Sequence, residues 1–459
     1  MIPAVRQESE APFESRVREF GKQIFSGIGK EQPSTFNKDY WSGRIMEWSM
    51  SKPDFKINMF RLVDVLPALK SSASIAAHVS EYLSKPGAEI SGLLEWGLTI
   101  NPNSLRAKVT SALVKRSVEQ MASQFIAGES PKGALKELRR LRKAGLSFTA
   151  DLLGEFSLSE REAEVYVDRY MEALDVFGTE IPGWKESAPI MSGHPGETSA
   201  LCISVKLTAL YSQCSPMNFD RSVSTLAERL GKIVRRDKQI KALVYVDAED
   251  SANNPIIYET FKRVFSEPDL RDFPYPGIVV QAYSKGASAV LSDLLEYAKR
   301  RGAPIAVRLV KGAYWDHETI LSAQNNWPSP LFSKKESSDA NFEALSRFLI
   351  DNHAHILPAF GSHNVRSLSY ACCYAESRGL TPRDFELQML YGMAEPIAKT
   401  FAGKGYLVRL YVPLGEMLPG MGYLVRRLLE NTSNESFLRH TFFDHEDLER
   451  LLAAPQMGE

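Results

Sequence analysis

From residue 146 onward the chain alternates short apolar runs with longer segments of helical apolar spacing. No other feature narrows the accessible folds as much. The short runs cover 147–155, 201–207, 242–249, 277–283, 304–310, 355–362, 385–390 and 406–413. Between them, 159–177, 222–235, 256–264, 287–300, 340–351, 365–378 and 396–401 carry apolar residues three and four apart. Runs this short, rich in Val, Ile and Leu and ending in polar residues, predict strands. Strand alternating with helix predicts parallel βα units, because a parallel partner needs a crossover. Eight such units between residues 146 and 440 suit a closed (β/α)8 TIM-like barrel, an α/β fold, better than an open sheet.

The remainder divides around that barrel. Residues 1–50 scatter charge and aromatics (Phe13, Phe20, Phe36, Tyr40, Trp41, Trp48) and are expected to form an arm packed on something larger. Residues 51–145 show helical spacing, as in Met59, Leu62, Val63 and Leu66, and predict an all-helical domain. Its last helix carries Arg139, Arg140, Arg142 and Lys143, expected to be a solvated basic face. The barrel would run over 146–440 and a tail over 441–459. Residues 421–431 predict a helix after the eighth strand, covering the barrel mouth. Arg426 and Arg427 lie in its middle, and Glu430 follows them by four and three positions, within reach of both guanidinium groups.

Composition excludes some functions. The chain has 55 Lys and Arg against 56 Asp and Glu, which argues against a nucleic-acid binder relying on bulk positive charge. The four cysteines, Cys202, Cys214, Cys372 and Cys373, have no metal-ligand spacing, so reduced structural thiols and no metal are expected. The first thirty residues lack the apolar core of a signal peptide, and no run reaches the length of a membrane helix. A cytoplasmic protein is expected, with peripheral membrane contact left open.

Polar residues cluster where the strands end. Lys206 closes the second run and Asp247 the third. Gln281 lies on the fourth and Arg308 on the fifth, which continues into Lys311, Gly312, Tyr314 and Trp315. His363 and Asn364 follow the sixth, Gln388 lies on the seventh and Tyr411 on the eighth. Each alone has an ordinary structural reading, as packing or as part of a buried hydrogen-bond layer. Burying all of them unpartnered at one rim would be costly, so a polar ligand is expected there. Lys206, Arg308, Lys311, Arg426 and Arg427 outweigh Asp247 and Glu430, so that ligand should carry an anion. Paired arginines suit a carboxylate or phosphate. The tyrosines and Leu390 suggest a small apolar ring or chain beside it. There is no GxGxxG or Walker sequence. On residues alone the chain is a barrel enzyme for a small anion. A lyase or aldolase with Lys206 or Lys311 as Schiff-base amine stays open. So does a scaffold role in which the basic helix near Arg139 meets an acidic partner.

Several longer motifs narrow the choice. The run 308–316 (RLVKGAYWD), with 388–393 (QMLYGM) and 423–431 (YLVRRLLEN), resembles the FAD-dependent proline dehydrogenases. The likeness is strongest to the proline dehydrogenase half of the bifunctional proline utilization A proteins. Residues 151–155 (DLLGE), 204–207 (SVKL), 246–249 (VDAE), 280–283 (VQAY) and 362–364 (SHN) match in the same order.

The resemblance implies a barrel flavoenzyme that oxidises L-proline to Δ1-pyrroline-5-carboxylate by hydride transfer to FAD. Lys206, Arg426 and Arg427 would hold the substrate carboxylate. Tyr314, Leu390 and Tyr411 would line the ring pocket. Asp247 would orient the cations and Glu430 would partner an arginine. Gln281, Arg308, Lys311, Gly312, Trp315, His363, Asn364 and Gln388 would contact FAD. Lys335 and Ser338, in a loop over 332–339, would reach its adenosine end. The resemblance further implies a quinone acceptor reached by peripheral contact with the inner face of the membrane. It also implies a pyrroline-5-carboxylate dehydrogenase activity that is on another chain or missing. No DNA-binding segment of the longer members is visible.

Overall fold

A computed structural model of the chain describes residues 10–30, 58, 61, 65, 69, 71–83, 124–154, 156–186, 200–393, 395–416 and 448–458. The expected mouth helix with Arg426, Arg427 and Glu430 lies outside the described residues, as does most of 51–123.

Eight parallel strands close into a barrel. They are β1 (Ser147–Leu152), β2 (Cys202–Val205), β3 (Leu243–Val246), β4 (Gly277–Gln281), β5 (Ile305–Val310), β6 (Ile356–Gly361), β7 (Glu386–Leu390) and β8 (Leu407–Leu414). Each pairs with the next, and β8 returns to β1, so that Ala150 stands opposite both Ile203 and Val412. The strand expectations agree to within a few residues; β1 stops at Leu152 and β8 runs on to Leu414.

The helices are α1 (Glu10–Lys30), α2 (Ser72–Leu83), α3 (Pro131–Lys143), α4 (Glu160–Glu180), α5 (Phe219–Ile240) and α6 (Asn254–Val264). There follow α7 (Ala287–Arg301), α8 (Trp315–Gln324), α9 (Lys335–Asp351), α10 (Val365–Ser377), α11 (Glu395–Gly403) and the short α12 (Leu448–Leu451).

The period of two along each strand sorts the side chains into two cores. Phe148, Ala150, Ile203, Val205, Val244, Val246, Ile278, Val280, Leu387, Met389, Val408 and Leu410 join the large cluster shared with the helices. Their neighbours point inward, where Cys202, Leu243, Tyr245, Ala306 and Leu357 form a separate small cluster inside the barrel. The inward row continues toward the carboxyl ends as Ser204 and Lys206, Asp247, Gln281, Arg308, Gln388 and Tyr411. A hydrophobic floor therefore supports a polar upper layer.

Two expectations need correction. The basic face of α3 is not wholly solvated. Arg142 is buried, with its guanidinium 4.6 Å from the centre of the Phe148 ring and Nη1 donating to Ser147 Oγ at 3.2 Å. Arg139, Arg140 and Lys143 stay at the surface, the two arginines paired with Glu186, Glu137 and Glu395. Helical spacing places Arg142 on the same side as Leu138, and a guanidinium plane stacks on an aromatic ring with little loss. Secondly, Lys335 and Ser338 are not in a loop; they lie in the first turns of α9. No apolar residue precedes Ala340 there, so the periodicity that reveals a helix starts too late. Helix α8 has no periodic sign in the sequence for a related reason: its apolar residues form no stripe.

Helix α1 packs on the barrel through α10 and α11. Phe13 meets the edge of Tyr370 at 5.3 Å, and Phe20 lies against Phe401 and Tyr406. Arg366 of α10 binds Glu343 of α9 at 2.8 Å, bridges to Glu14 of α1 and donates to the Leu452 carbonyl at 3.2 Å. Among the described residues, no helix is long and apolar enough to cross a membrane.

Candidate active site at the barrel mouth

Asp247 is the hub of the polar layer. Its Oδ1 accepts from Ser204 Oγ at 3.0 Å and from Arg308 Nη1 at 2.9 Å. Its Oδ2 accepts from the Tyr411 hydroxyl at 2.7 Å and lies 3.6 Å from Lys206 Nζ. Four strands, β2, β3, β5 and β8, thus meet on one carboxylate. Arg308 lies over two rings, 4.2 Å from the Tyr245 centroid and 5.3 Å from that of Tyr411. Its Nε donates to Gln388 Oε1 at 2.6 Å. Its Nη2 is buried and has no partner among the described residues.

Lys206 is held between two carboxylates. Its Nζ donates to Asp151 Oδ1, and it lies 2.9 Å from the Tyr411 oxygen. Burial opposes the Lys206 charge, but Asp151, Tyr411 and Asp247 outweigh it and hold the ammonium well above its usual range. Burial raises the Asp151 carboxyl, with Lys206 pulling the other way. Burial, then Asp151 and Asp247, raise Tyr411, so it remains a neutral hydroxyl that can donate. Asp151 Oδ2 is buried without a partner among the described residues.

A second group lies on the loops after β4, β5 and β6. Lys311 binds Asp339, which also takes Lys335 at 2.6 Å. Burial pushes Lys311 down to about 8 while Asp339 resists it. Burial opposes the Asp339 charge, yet Lys311 and Lys335 carry that carboxyl below its usual range. Gly312 has φ of 135°, and a Cβ there would stand 2.4 Å from the Tyr283 ring, so only glycine fits. Tyr283 donates to Glu318 at 2.8 Å, and Trp315 Nε1 to the Phe332 carbonyl at 2.9 Å. His363 Nε2 accepts the Leu390 N–H at 3.0 Å, which requires that this nitrogen carry no proton. Asn364 caps α10, accepting from the Ser367 N–H at 3.1 Å. Gln281 accepts from Asn254 Nδ2 at 3.0 Å.

The structure therefore brings Lys206, Asp247, Arg308, Gln388 and Tyr411 into one network. Leu390 stands opposite Tyr411 in the β7–β8 register, and half-buried Tyr314 shares the β5 loop with Gly312. Gln281 stands at the end of β4, next in the sheet to β3 and β5, with its side-chain oxygen bonded by Asn254 rather than joined to the hub. Lys335 is 73% exposed at the edge of this region, and Ser338 is buried beside it. Asp151, Ser204, Glu386, Arg409 and Asp339 were not singled out from the sequence, although they complete the network. The first four lie at inward strand positions, so a strict period-two reading is the signal that finds them. Asp339 has only its helical spacing from Lys335.

Sequence and structure comparisons agree with one another. The family model described as proline dehydrogenase matches residues 134–440. A second, the proline utilization A N-terminal domain, matches 14–125. The chain is 31% identical to the bifunctional protein PutA of Escherichia coli over 372 residues, 79% of this chain and 27% of the relative. It is 26% identical to proline dehydrogenase 1 of Bacillus subtilis, over 69% of this chain and 89% of that one. Among solved structures, proline utilization A from Bdellovibrio bacteriovorus, inactivated by N-propargylglycine, superposes with a TM-score of 0.87 at 40% identity. That match covers 97% of this chain and 44% of the other. The chain thus spans less than half the length of these two proline utilization A relatives.

Proposed function

The chain belongs to the proline dehydrogenase family, and on that premise we propose that it oxidises L-proline to Δ1-pyrroline-5-carboxylate with FAD as cofactor, the first step of proline catabolism. The observation that carries this reading is the convergence of Lys206, Arg308 and Tyr411 on Asp247, inside a mouth whose buried Arg308 Nη2 lacks a partner among the described residues. Such an unpaired, desolvated donor fits the electron-rich edge of a flavin. When bound, FAD would supply the two-electron acceptor for the hydride.

The chain's own residues would bind and orient. Arg308, with Gln281, Lys311, Gly312, Trp315, His363, Asn364 and Gln388, would hold the cofactor, and Lys335 and Ser338 its adenosine end. Lys206, held charged by two carboxylates, would take the proline carboxylate together with Arg426 and Arg427. Tyr314, Leu390 and Tyr411 would confine the ring, and Glu430 would steady an arginine. Holding the substrate in one pose makes the transfer effectively unimolecular. A Schiff-base role for Lys206 fits poorly, because a nucleophilic amine must shed the proton that Asp151 and Asp247 retain. We further read the protein as cytoplasmic, passing electrons to a quinone by peripheral membrane contact. The pyrroline-5-carboxylate it forms would be the substrate of a pyrroline-5-carboxylate dehydrogenase activity.

Replacing Arg427 with Met tests the clamp. Loss of one charge-assisted contact is expected to cost about 1.5–3 kcal/mol of substrate binding, seen as a raised KM with flavin content retained. Unchanged proline affinity would remove Arg427 from the site.

A further inference from the structure

Below the mouth, Glu386 of β7 and Arg409 of β8 form a doubly hydrogen-bonded ion pair, with both side chains about 1% exposed. Arg409 Nε donates to Glu386 Oε2 at 2.8 Å and Nη2 to Oε1 at 2.7 Å. Arg409 Nη1 donates to the Phe148 carbonyl of β1 at 3.0 Å. A pair buried this deeply is not needed for packing: apolar residues of equal volume are often as stable or more so. Its geometry suggests another use.

Glu386 Oε2 also accepts from Gln388 Nε2 at 2.7 Å. Glu386 and Gln388 are two residues apart on β7, so both point inward, and Gln388 stands opposite Arg409 in the register. A carboxylate can only accept. The end of the Gln388 amide that faces Glu386 must therefore be the NH2 group, and the other end must be the carbonyl oxygen. That oxygen is the acceptor for Arg308 Nε at 2.6 Å. With Nε fixed there and Nη1 fixed on Asp247 and Ser204, the guanidinium plane has no freedom left. Its remaining corner, Nη2, is the buried donor without a partner among the described residues.

We propose that the Glu386–Arg409 pair is a positioning device that sets the orientation of the Gln388 amide and, through it, aims the Arg308 guanidinium at the cofactor. The proposal rests on the reading that Arg308 faces a flavin. Neither Glu386 nor Arg409 touches the reacting atoms.

The test is Glu386→Gln, read by the midpoint potential and visible spectrum of the bound flavin in the folded holoenzyme. With an amide at 386, Gln388 can rotate and offer its own NH2 group toward Arg308 Nε–H, two donors face to face. Arg308 then loses its fixed pose. The midpoint potential is expected to become more negative, and the flavin bands to shift in the direction seen with Arg308→Met. Arg409→Lys keeps a cation beside Glu386, so the potential is expected to stay near that of the parent even where the melting temperature falls. Should Glu386→Gln not accumulate folded, Glu386→Asp replaces it. That change draws the carboxylate back from Gln388, and a negative shift is again expected.

A Glu386 variant with lowered melting temperature but parental potential and spectrum would overturn the proposal and mark the pair as structural. If Arg308→Met also left the flavin unaffected, the placement of Arg308 would fall, and the proposal with it. A shift with Arg308→Met alone would overturn only the relay.

Discussion

Replacing Lys206 with Met is expected to abolish most proline turnover and to destabilise the fold at neutral pH. Asp151 is fully buried, with Lys206 as its ion-pair partner and one oxygen already unpartnered among the described residues. Removing the cation strands that carboxylate. Breaking a buried pair in this way costs about 3–5 kcal/mol if the remaining group stays ionised. Protonation of Asp151 limits the damage and gives it a pH signature. Burial already raises its folded carboxyl above the ordinary value, and loss of Lys206 removes the opposing influence. A carboxyl raised on folding contributes stability below its unfolded pKa and loses it as pH rises through the folded value. The variant should therefore approach the parent in acid and fall away toward neutral pH and above. Urea unfolding of both proteins across that range checks this. Parallel curves at all pH values would show that Asp151 does not depend on Lys206.

The second large effect is expected from Asp247→Asn, which keeps the shape and removes the charge. The amide oxygen can still accept from Arg308 and Ser204. The amide nitrogen must then face the Tyr411 hydroxyl and the Lys206 ammonium, which both donate to or attract an anion in the parent. Side chains of β2, β5 and β8 lose their common anionic partner, and Lys206 and Arg308 keep their charges without it. The loss of hydrogen bonds to a charged group corresponds to about 1.5–3 kcal/mol, or roughly ten- to a hundredfold in kcat/KM. Stability should change less than in the Lys206 variant, since the amide oxygen still accepts from buried Arg308 and Lys206 keeps Asp151 as its partner. Steady-state kinetics paired with thermal melting separates the two. Wild-type kcat/KM would mean that Asp247 organises nothing the reaction uses.

The barrel was legible because each strand is buried on both faces and so appears as a dense apolar run. The polar rim was legible for the opposite reason: Lys206, Asp247 and Tyr411 interrupt those runs where an ordinary core would not. The layer beneath was harder to read. Glu386 and Arg409 are single charges inside short runs, and only the register of β7 on β8 shows that they meet. Asp151 carries no mark until β1 is known to pair with β2 and β8. Arg142 resembled its solvated neighbours because charge pattern alone does not tell which face of α3 turns to Phe148. The bridge from Glu14 to Arg366 joins residues 352 positions apart, a distance no local pattern spans. Local physics fixes elements and their polarity; pairing across elements needs their arrangement.

Every proposed role of these residues requires a flavin seated in the barrel mouth and reduced by the substrate held against it. The visible spectrum of the purified protein, supplied with FAD and titrated anaerobically with L-proline, measures this most directly. The expected result is a yellow protein whose flavin bands bleach as proline is added. A colourless protein that takes up no FAD, or a bound flavin that proline leaves oxidised, would contradict it.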